Sequence, residues 1–258
     1  MDEQPSAQQE TVSVEFTLAI GEGHISATAV VPAGQTNLTK ILPVIQAFDD
    51  SLIATVASQA AGDGHPVSCK AGCGACCRQM VPISIFEAEA LAEWIHSLPE
   101  SQQQQLAQRF HQTLLSFAAT GLLDRMVEMS KEDWRVENEV NQRLMRDYFY
   151  TRIPCPFLQD ESCSIHPIRP LVCREYIVVS PAEHCVDPAI HPVLAPHQPL
   201  KLFPILNEMG AKLEHDTRGW IPLVFLFAWM KAGAHPGEAV SGTGPELLYE
   251  FVRRITPP

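Results

Sequence analysis

The residues best suited to chemistry in this chain are its eight cysteines, and they fall into two groups. Cys69, Cys73, Cys76 and Cys77 lie within the stretch Cys69-Lys70-Ala71-Gly72-Cys73-Gly74-Ala75-Cys76-Cys77-Arg78. Cys155, Cys163, Cys173 and Cys185 form a second block, and no cysteine lies elsewhere. A thiolate binds soft and borderline metals, and an ion of tetrahedral preference needs four ligands converging on one point. Spacings of two and three residues let a tight turn aim successive side chains inward, and Gly72 and Gly74 supply the backbone freedom for it. Scattered buried cysteines would read as small hydrophobes; clustered ones read as halves of one metal-binding site. The Cys73-Gly74-Ala75-Cys76 segment is also a C-x-x-C, the spacing of a dithiol redox pair, but it lacks the neighbouring βαβ pattern.

Spacing alone leaves the number of ions open. Adjacent side chains point about 100° apart on a helix and to opposite faces of a strand. Cys76 and Cys77 therefore either serve two metals, or one of them is a spare or reactive thiol. Two four-ligand sites would use all eight cysteines; one site would leave four free, and the regularity of the second block favours full use. Sulfur ligands suit zinc and iron alike, an iron–sulfur cluster included, and the spacings match neither a zinc ribbon nor the common ferredoxins. His166 and His184 stand close enough in sequence to replace one sulfur. Lys70 and Arg78 flank the first block and Arg169 and Arg174 the second, with no acid from Cys69 to Arg78 or from Cys163 to Arg174. Cations so placed would lower thiol pKa values and offset the charge of a sulfur-rich site; the alternative is that Arg169 and Arg174 merely solvate a loop.

The combined pattern resembles the YkgJ-type cysteine-cluster family. The resemblance is carried by Cys69-x3-Cys73-x2-Cys76-Cys77, Cys155-Pro156-Phe157-Leu158, Cys163-Ser164-Ile165-His166 and Arg169-Pro170-Leu171-Val172-Cys173-Arg174, and covers about residues 65–185. It implies a zinc- or iron-chelating domain with Cys69, Cys73, Cys76, Cys77, Cys155, Cys163 and Cys173 as chelators, and Cys185 in a looser trailing position. His166 stands where the family usually has an aromatic residue.

Composition sets limits around this site. At 258 residues, with 46% hydrophobic and 19% charged residues, the chain can bury a sizeable core. Its formal net charge of -12 argues against nucleic acid as a partner. The start, MDEQPSAQQE, lacks the basic flank and apolar run of a signal peptide. The longest apolar run, near Trp220 to Met230, is too short to span a bilayer. The expected location is the cytoplasm, where thiols stay reduced and eight cysteines are better explained by metal than by disulfides.

The elements that must position the cysteines follow from periodicity. Val12, Val14, Phe16, Leu18 and Ile20 alternate with mostly polar residues, as do Ile25, Ala27, Ala29 and Val31 beyond Gly21-Glu22-Gly23, predicting a β-hairpin. A helix is predicted over 39–61, with Pro43 in its first turn and Leu42, Ile45, Phe48, Leu52, Ile53 and Val56 on one face. Ser84 and Glu87 make a capping box for a helix to about Ser97. A second helix follows Pro99 and stops near Gly121, and Ser130 with Asp133 predicts a third, to Tyr150, with Val136, Val140, Leu144 and Phe149 inward. Nine prolines between residues 151 and 200 predict irregular backbone stapled by cysteines. Leu200–Leu206 reads as a strand or short helix, Trp220–Lys231 as a buried helix, and Glu246–Arg254 as a last helix.

The expected fold is α+β, predominantly α-helical, with an N-terminal hairpin, a helical body and an irregular metal-binding segment. The expected divisions are 1–64, hairpin and long helix; 65–190, the cysteine-cluster domain with a helical insertion; and 191–258, a helical segment on the same core. Three functions fit: a protein in which metal joins the two blocks, a metal-dependent oxidoreductase or modifying enzyme, and a metal carrier or accessory protein. The expected partner is a metal ion, with room for a protein and none for nucleic acid or membrane.

Overall fold

The structure is a computed structural model and describes residues 10–20, 23–131, 138–210, 219–233 and 240–255. It is α+β and predominantly helical. Strands β1 (Thr11–Ile20) and β2 (Gly23–Pro32) pair antiparallel with Thr11 opposite Pro32. Alternation works as expected over part of this hairpin: Leu18, Ala29 and Val31 are buried and Phe16 meets Phe48 edge-on at 5.8 Å, whereas Val12, at the open end, is 38% exposed. The turn at Gly21 and Glu22 lies outside the described residues.

After β3 (Gln35–Asn37), helix α1 (Leu38–Gly62) starts one residue earlier than predicted. The Asn37 side chain caps it by accepting the Lys40 amide at 3.2 Å. Pro43 consequently lies one turn inside the helix, where it denies the Thr39 carbonyl its usual donor. Among the described residues α1 is the one helix long and apolar enough to cross a membrane by length and composition. Here it lays Leu38, Ile41, Leu42, Ile45, Phe48 and Leu52 into the main core, with Leu18 and Val31 of the hairpin.

Strand β4 (Pro82–Ser84) leads into α2 (Ile85–Ser97), and the expected capping box is present: the Glu87 amide donates to Ser84 Oγ at 3.2 Å and Ser84 N–H to Glu87 Oε2 at 2.8 Å. Helix α3 (Glu100–Ala119) ends at Gly121, whose φ of 73° lies in the left-handed region. The next stretch departs from prediction. Ser130 closes a short helix, α4 (Leu123–Met129), rather than opening a long one. Asp133, Trp134 and Val136 lie outside the described residues. Helix α5 (Glu139–Tyr150) starts at an Asn138 cap, and Val140 is 68% exposed rather than inward. An Asn-capped first turn places Val140 one position from the buried stripe of Asn141, Leu144 and Tyr148.

The proline-rich stretch contains only the small hairpin β5 (Leu158–Gln159) and β6 (Ser162–Cys163), single 3-10 turns, and α6 (Leu171–Glu175). Helix α7 (Phe203–Gly210) follows. Trp220 begins not a helix but β7 (Trp220–Pro222), which pairs with β4 before a 3-10 turn and α8 (Leu226–Lys231). Pro222 and the buried β4 edge together favour the strand, a tertiary effect that local periodicity does not contain. Strand β8 (Ser241–Thr243) pairs with β3, and α9 (Gly244–Ile255) packs Leu247, Leu248 and Phe251 into the main core. A second core joins α2 and α3 to Phe157, Ile165, Leu223 and Leu226, with Cys155 and Cys163 packed against it.

Asp49 of α1 is 1% exposed and its Oδ2 has no hydrogen-bond partner. Burial, with the nearby Glu175, Asp50 and Glu87 carboxylates, raises its pKa to about 8 against the pull of Arg174. Burial also raises Glu87 and Glu175. The folded state thus keeps protons that the unfolded chain releases. Its stability is full below the ordinary carboxylate range and falls as pH rises towards 8, by at most about 1.4 kcal/mol per pH unit for each such group. Asp49→Asn is expected to flatten this slope, so that thermal unfolding shows the variant gaining on wild type steadily from about pH 5 to about pH 8.5. Parallel unfolding curves for the two proteins across that range would contradict it.

Candidate metal centre

The first block is a loop that ends in a 3-10 turn, Ala75–Arg78, carrying Cys76 and Cys77. Gly72 turns the chain at φ 81°, a conformation that L side chains avoid. Gly74 serves a different need: a Cβ there would lie 2.5 Å from Glu161 Oε2 and 2.9 Å from Leu158 Cδ1. Its absence lets the β5–β6 hairpin of the second block close over the first. Arg78 holds that closure, with Nη1 donating to Glu161 Oε2 at 2.9 Å and to the Gly74 carbonyl at 2.8 Å, and Nη2 donating to Glu161 Oε1 at 2.6 Å.

Backbone joins the two blocks directly. The Cys155 N–H donates to the Cys77 carbonyl at 2.7 Å, and the Ser68 N–H to the Val178 carbonyl at 2.9 Å. Ser68 Oγ adds a 2.5 Å bond to the Ser180 carbonyl. The turn carrying Cys76 and Cys77 packs against the turn Ala182–Val186 that carries Cys185. Cys173 rides on α6, whose first amide, Leu171 N–H, donates to Glu87 Oε1 at 2.7 Å. Glu87 thereby links the α2 cap to the cysteine segment. Cysteines 116 positions apart in the chain, Cys69 and Cys185, bear on each other electrostatically.

All eight cysteines are free thiols. Cys69 is exposed, Cys185 is buried and the other six are half-buried. Burial raises the pKa of Cys69, Cys163, Cys173 and Cys185, and takes Cys155 to about 12. For Cys76 the first cause is a hydrogen bond with the Cys77 side chain, and burial comes second; both push upward. Working in the opposite direction are hydrogen bonds from backbone: Val178 to Cys69, Phe157 and Leu158 to Cys155, and Ile165 to Cys163. Bonds of this kind favour a thiolate. Among the described residues no three His, Cys, Asp or Glu side chains are gathered tightly enough to hold a metal ion. The net effect on Cys69, Cys76, Cys155, Cys163, Cys173 and Cys185 is upward, towards the protonated thiol.

The basic residues divide by role. Arg169 favours the thiolate forms of Cys69, Cys76 and Cys163, as its position suggested. Arg78 is committed to Glu161, an acid just outside the acid-free window. Arg174 is 3% exposed and neither solvates a loop surface nor faces the sulfurs as a free charge. Its Nε donates to the Arg169 carbonyl at 2.8 Å, its Nη2 to the Pro167 carbonyl at 2.6 Å and its Nη1 to Asp50 Oδ2 at 2.6 Å.

The two candidate histidines are engaged. Arg169 Nη1 donates to His166 Nε2, and burial with the charges of Arg169 and Arg174 pushes that imidazole below its ordinary pKa. His184 Nδ1 donates to the Pro192 carbonyl at 3.0 Å, and its ring stacks on His191 at 4.9 Å. Two residues missed in the sequence also belong here: Glu161, through Arg78, and Tyr176, which lies near Cys69, Cys76 and Cys185 and hydrogen-bonds Gln79. A hairpin turn and a tyrosine after α6 carry no ligand signature, so only folding reveals them.

The donor set fits a thiophilic ion. Eight sulfurs from two chain segments, with backbone N–H groups aimed at three of them, are donors of the kind a zinc- or iron-thiolate centre uses. Comparison with curated proteins and with solved structures gave no match. Residues 68–190 match the family model CxxCxxCC, described as "Putative zinc- or iron-chelating domain". Over that stretch, which holds both cysteine blocks, the chain is similar to the CxxCxxCC family.

Proposed function

We propose that the two cysteine blocks bind zinc or iron jointly, and that the bound metal locks the proline-rich segment onto the helical body. The observation that carries this reading is the 2.7 Å hydrogen bond from the Cys155 amide to the Cys77 carbonyl, which seats the start of the second block on the end of the first. A bound ion supplies a centre that accepts thiolates from both. The chain's part is to present the sulfurs, orient them through Val178, Phe157, Leu158 and Ile165 amides, and release their protons. Metal uptake therefore releases protons and tightens as pH rises. Free thiols in this number suit a reducing compartment, and the cytoplasm is the proposed one.

Metal analysis of protein purified without oxygen tests the reading. Cys73→Ser and Cys155→Ser are each expected to lower metal content and to open residues 151–190 to proteolysis. Full metal content in both variants would refute a joint site. A brown protein with broad visible absorption would assign the iron to an iron–sulfur cluster, and a colourless one with stoichiometric zinc would assign zinc. A second reading, a metal carrier, draws on Cys69, the one exposed thiol of the eight and a point where an incoming or departing ion could exchange. Rapid loss of metal to a mild chelator would favour it.

A further inference from the structure

Helix α3 carries a second stripe beside the one it buries. Leu106, Phe110 and Phe117 enter the cores, while Gln105, Gln108, Arg109, Gln112 and Thr113 recur at helical spacing alongside them. With Pro154, Cys155, Pro156 and Leu158 of the second cysteine block, that stripe lines an open cleft of about 470 Å³, within the usual range of small-molecule sites. Its two walls are fixed. Phe110 of α3 meets Phe157 of the opposite segment edge-on at 5.2 Å, and the Cys155 amide is bonded to the Cys77 carbonyl. The lining holds no acid, although the chain carries a net charge of -12. Arg109 is the one charged side chain between Glu100 and Asp124, with histidine neutral. It is half-buried, its Nη1 is shielded from solvent without a hydrogen-bond partner, and among the described residues no carboxylate pairs with it. A nitrogen that has lost water without finding an acceptor is unfavourable until a ligand supplies one. The glutamines of the cleft are equally unengaged. Gln103 and Gln104 tie their amides to the Leu98 carbonyl at 2.8 Å and to Glu100 Oε1 at 3.1 Å, whereas among the described residues the side chains of Gln105, Gln108 and Gln112 make no such bond.

We propose that this cleft binds a small organic carboxylate, held by the Arg109 guanidinium. The planar fork of a guanidinium matches the two oxygens of a carboxylate. One cation among neutral amides suits a single negative charge. The amides of Gln105, Gln108 and Gln112 can donate to or accept from polar groups on the body of the ligand, and Pro154, Pro156 and Leu158 offer that body an apolar wall. A bare inorganic ion would leave this wall and most of the cleft unused. Because Cys155 lines the same cleft, the ligand would lie beside the start of the second cysteine block. The site stands on Arg109 and the cleft, so it is independent of the joint-site reading and of which ion the cysteines hold.

Hippurate tests this in the full chain as purified, because it combines a carboxylate for Arg109, an amide for the glutamines and an apolar ring for the prolines. Titration followed by ligand line broadening in proton NMR is expected to show saturable binding at millimolar concentration or below. Hippuramide, the uncharged counterpart, is expected to bind about tenfold more weakly or worse, the scale of one hydrogen bond to a charged group. Arg109→Met is expected to weaken hippurate by a similar factor, with metal content and circular dichroism unchanged. Should that variant misfold, Gln108→Glu, at an exposed position, sets an acid in the cleft and is expected to weaken hippurate with the fold intact. Absence of saturable binding, equal affinity for hippuramide, or wild-type affinity in folded Arg109→Met or in Gln108→Glu would overturn the proposal. So would tighter binding of inorganic phosphate, which would make the cleft a site for a bare oxyanion. Tighter binding of a peptide ending in the same glycine carboxylate would overturn it in favour of a protein C-terminus.

Discussion

Stripped of metal by a strong chelator, the protein is expected to lose thermal stability by roughly 10–20 °C and to be cut first between residues 183 and 197. The site of cutting follows from where the segment has anchors of its own. Phe157, Ile165, Leu171 and Val178 are buried, and Glu175 Oε1 accepts the amides of Leu202 and Phe203 at 2.6 and 3.0 Å. Between these anchors Val186, Ile190 and Leu194 are more than half exposed, and no helix or strand protects the backbone beyond the turn Ala182–Val186 until α7. Cys185 is the buried staple of that stretch. Without metal it retains the packing of its turn against the Ala75–Arg78 turn and the bond from Val179 N–H to the Leu194 carbonyl at 2.8 Å. Structural zinc sites contribute about 10–16 kcal/mol in peptides that have no other core. Here the apolar anchors share the work, so a loss of about 5 kcal/mol is the reasonable scale, and about 2–4 °C per kcal/mol for a chain of this size gives the stated shift. Unchanged melting and unchanged cleavage in demonstrably metal-free protein would show that the centre does not support the fold.

Arg174→Met is expected to cost about 3 kcal/mol and to weaken metal retention, the second largest effect. One guanidinium bridges the Arg169 and Pro167 carbonyls and Asp50, so its planar fork holds the loop between Cys163 and Cys173 against α1. Removing it strands those acceptors and frees the loop, at the usual cost of about 1–3 kcal/mol for a buried group left unpaired, plus lost packing. The ion pair itself adds little, since Asp50 is half exposed. Arg174→Lys should recover only part of the loss, because a single ammonium cannot reproduce the fork. The measurements are chemical unfolding and metal content at matched pH. Wild-type stability in Arg174→Met would return this arginine to the role of a surface charge.

The hairpin, the Ser84–Glu87 capping box, the helix after Pro99 and the irregular proline-rich stretch were legible in the chain because each rests on interactions within about ten residues: alternation, a reciprocal cap, a proline start and missing N–H groups. The cysteine blocks were legible for the same reason, since short spacings and Gly72 act locally. Where local signals competed, reading failed. Ser130 caps a helix end instead of a start, and Trp220 enters a strand because β4 offers an edge more than a hundred residues upstream. Nothing in the residues around Arg174 says that it points inward, for its partners include an aspartate of α1.

The sequence by itself determined that this chain carries two clusters of thiols, in a spacing similar to that of a family described as a "Putative zinc- or iron-chelating domain". Only the tertiary structure decided that the clusters meet, through backbone hydrogen bonds that join Cys155 to Cys77 and Ser68 to Val178, with a side chain omitted at Gly74. The physical reason is that ligand type is a property of single residues, whereas which sulfur faces which is settled by how helices α1 and α2 position the loops they anchor.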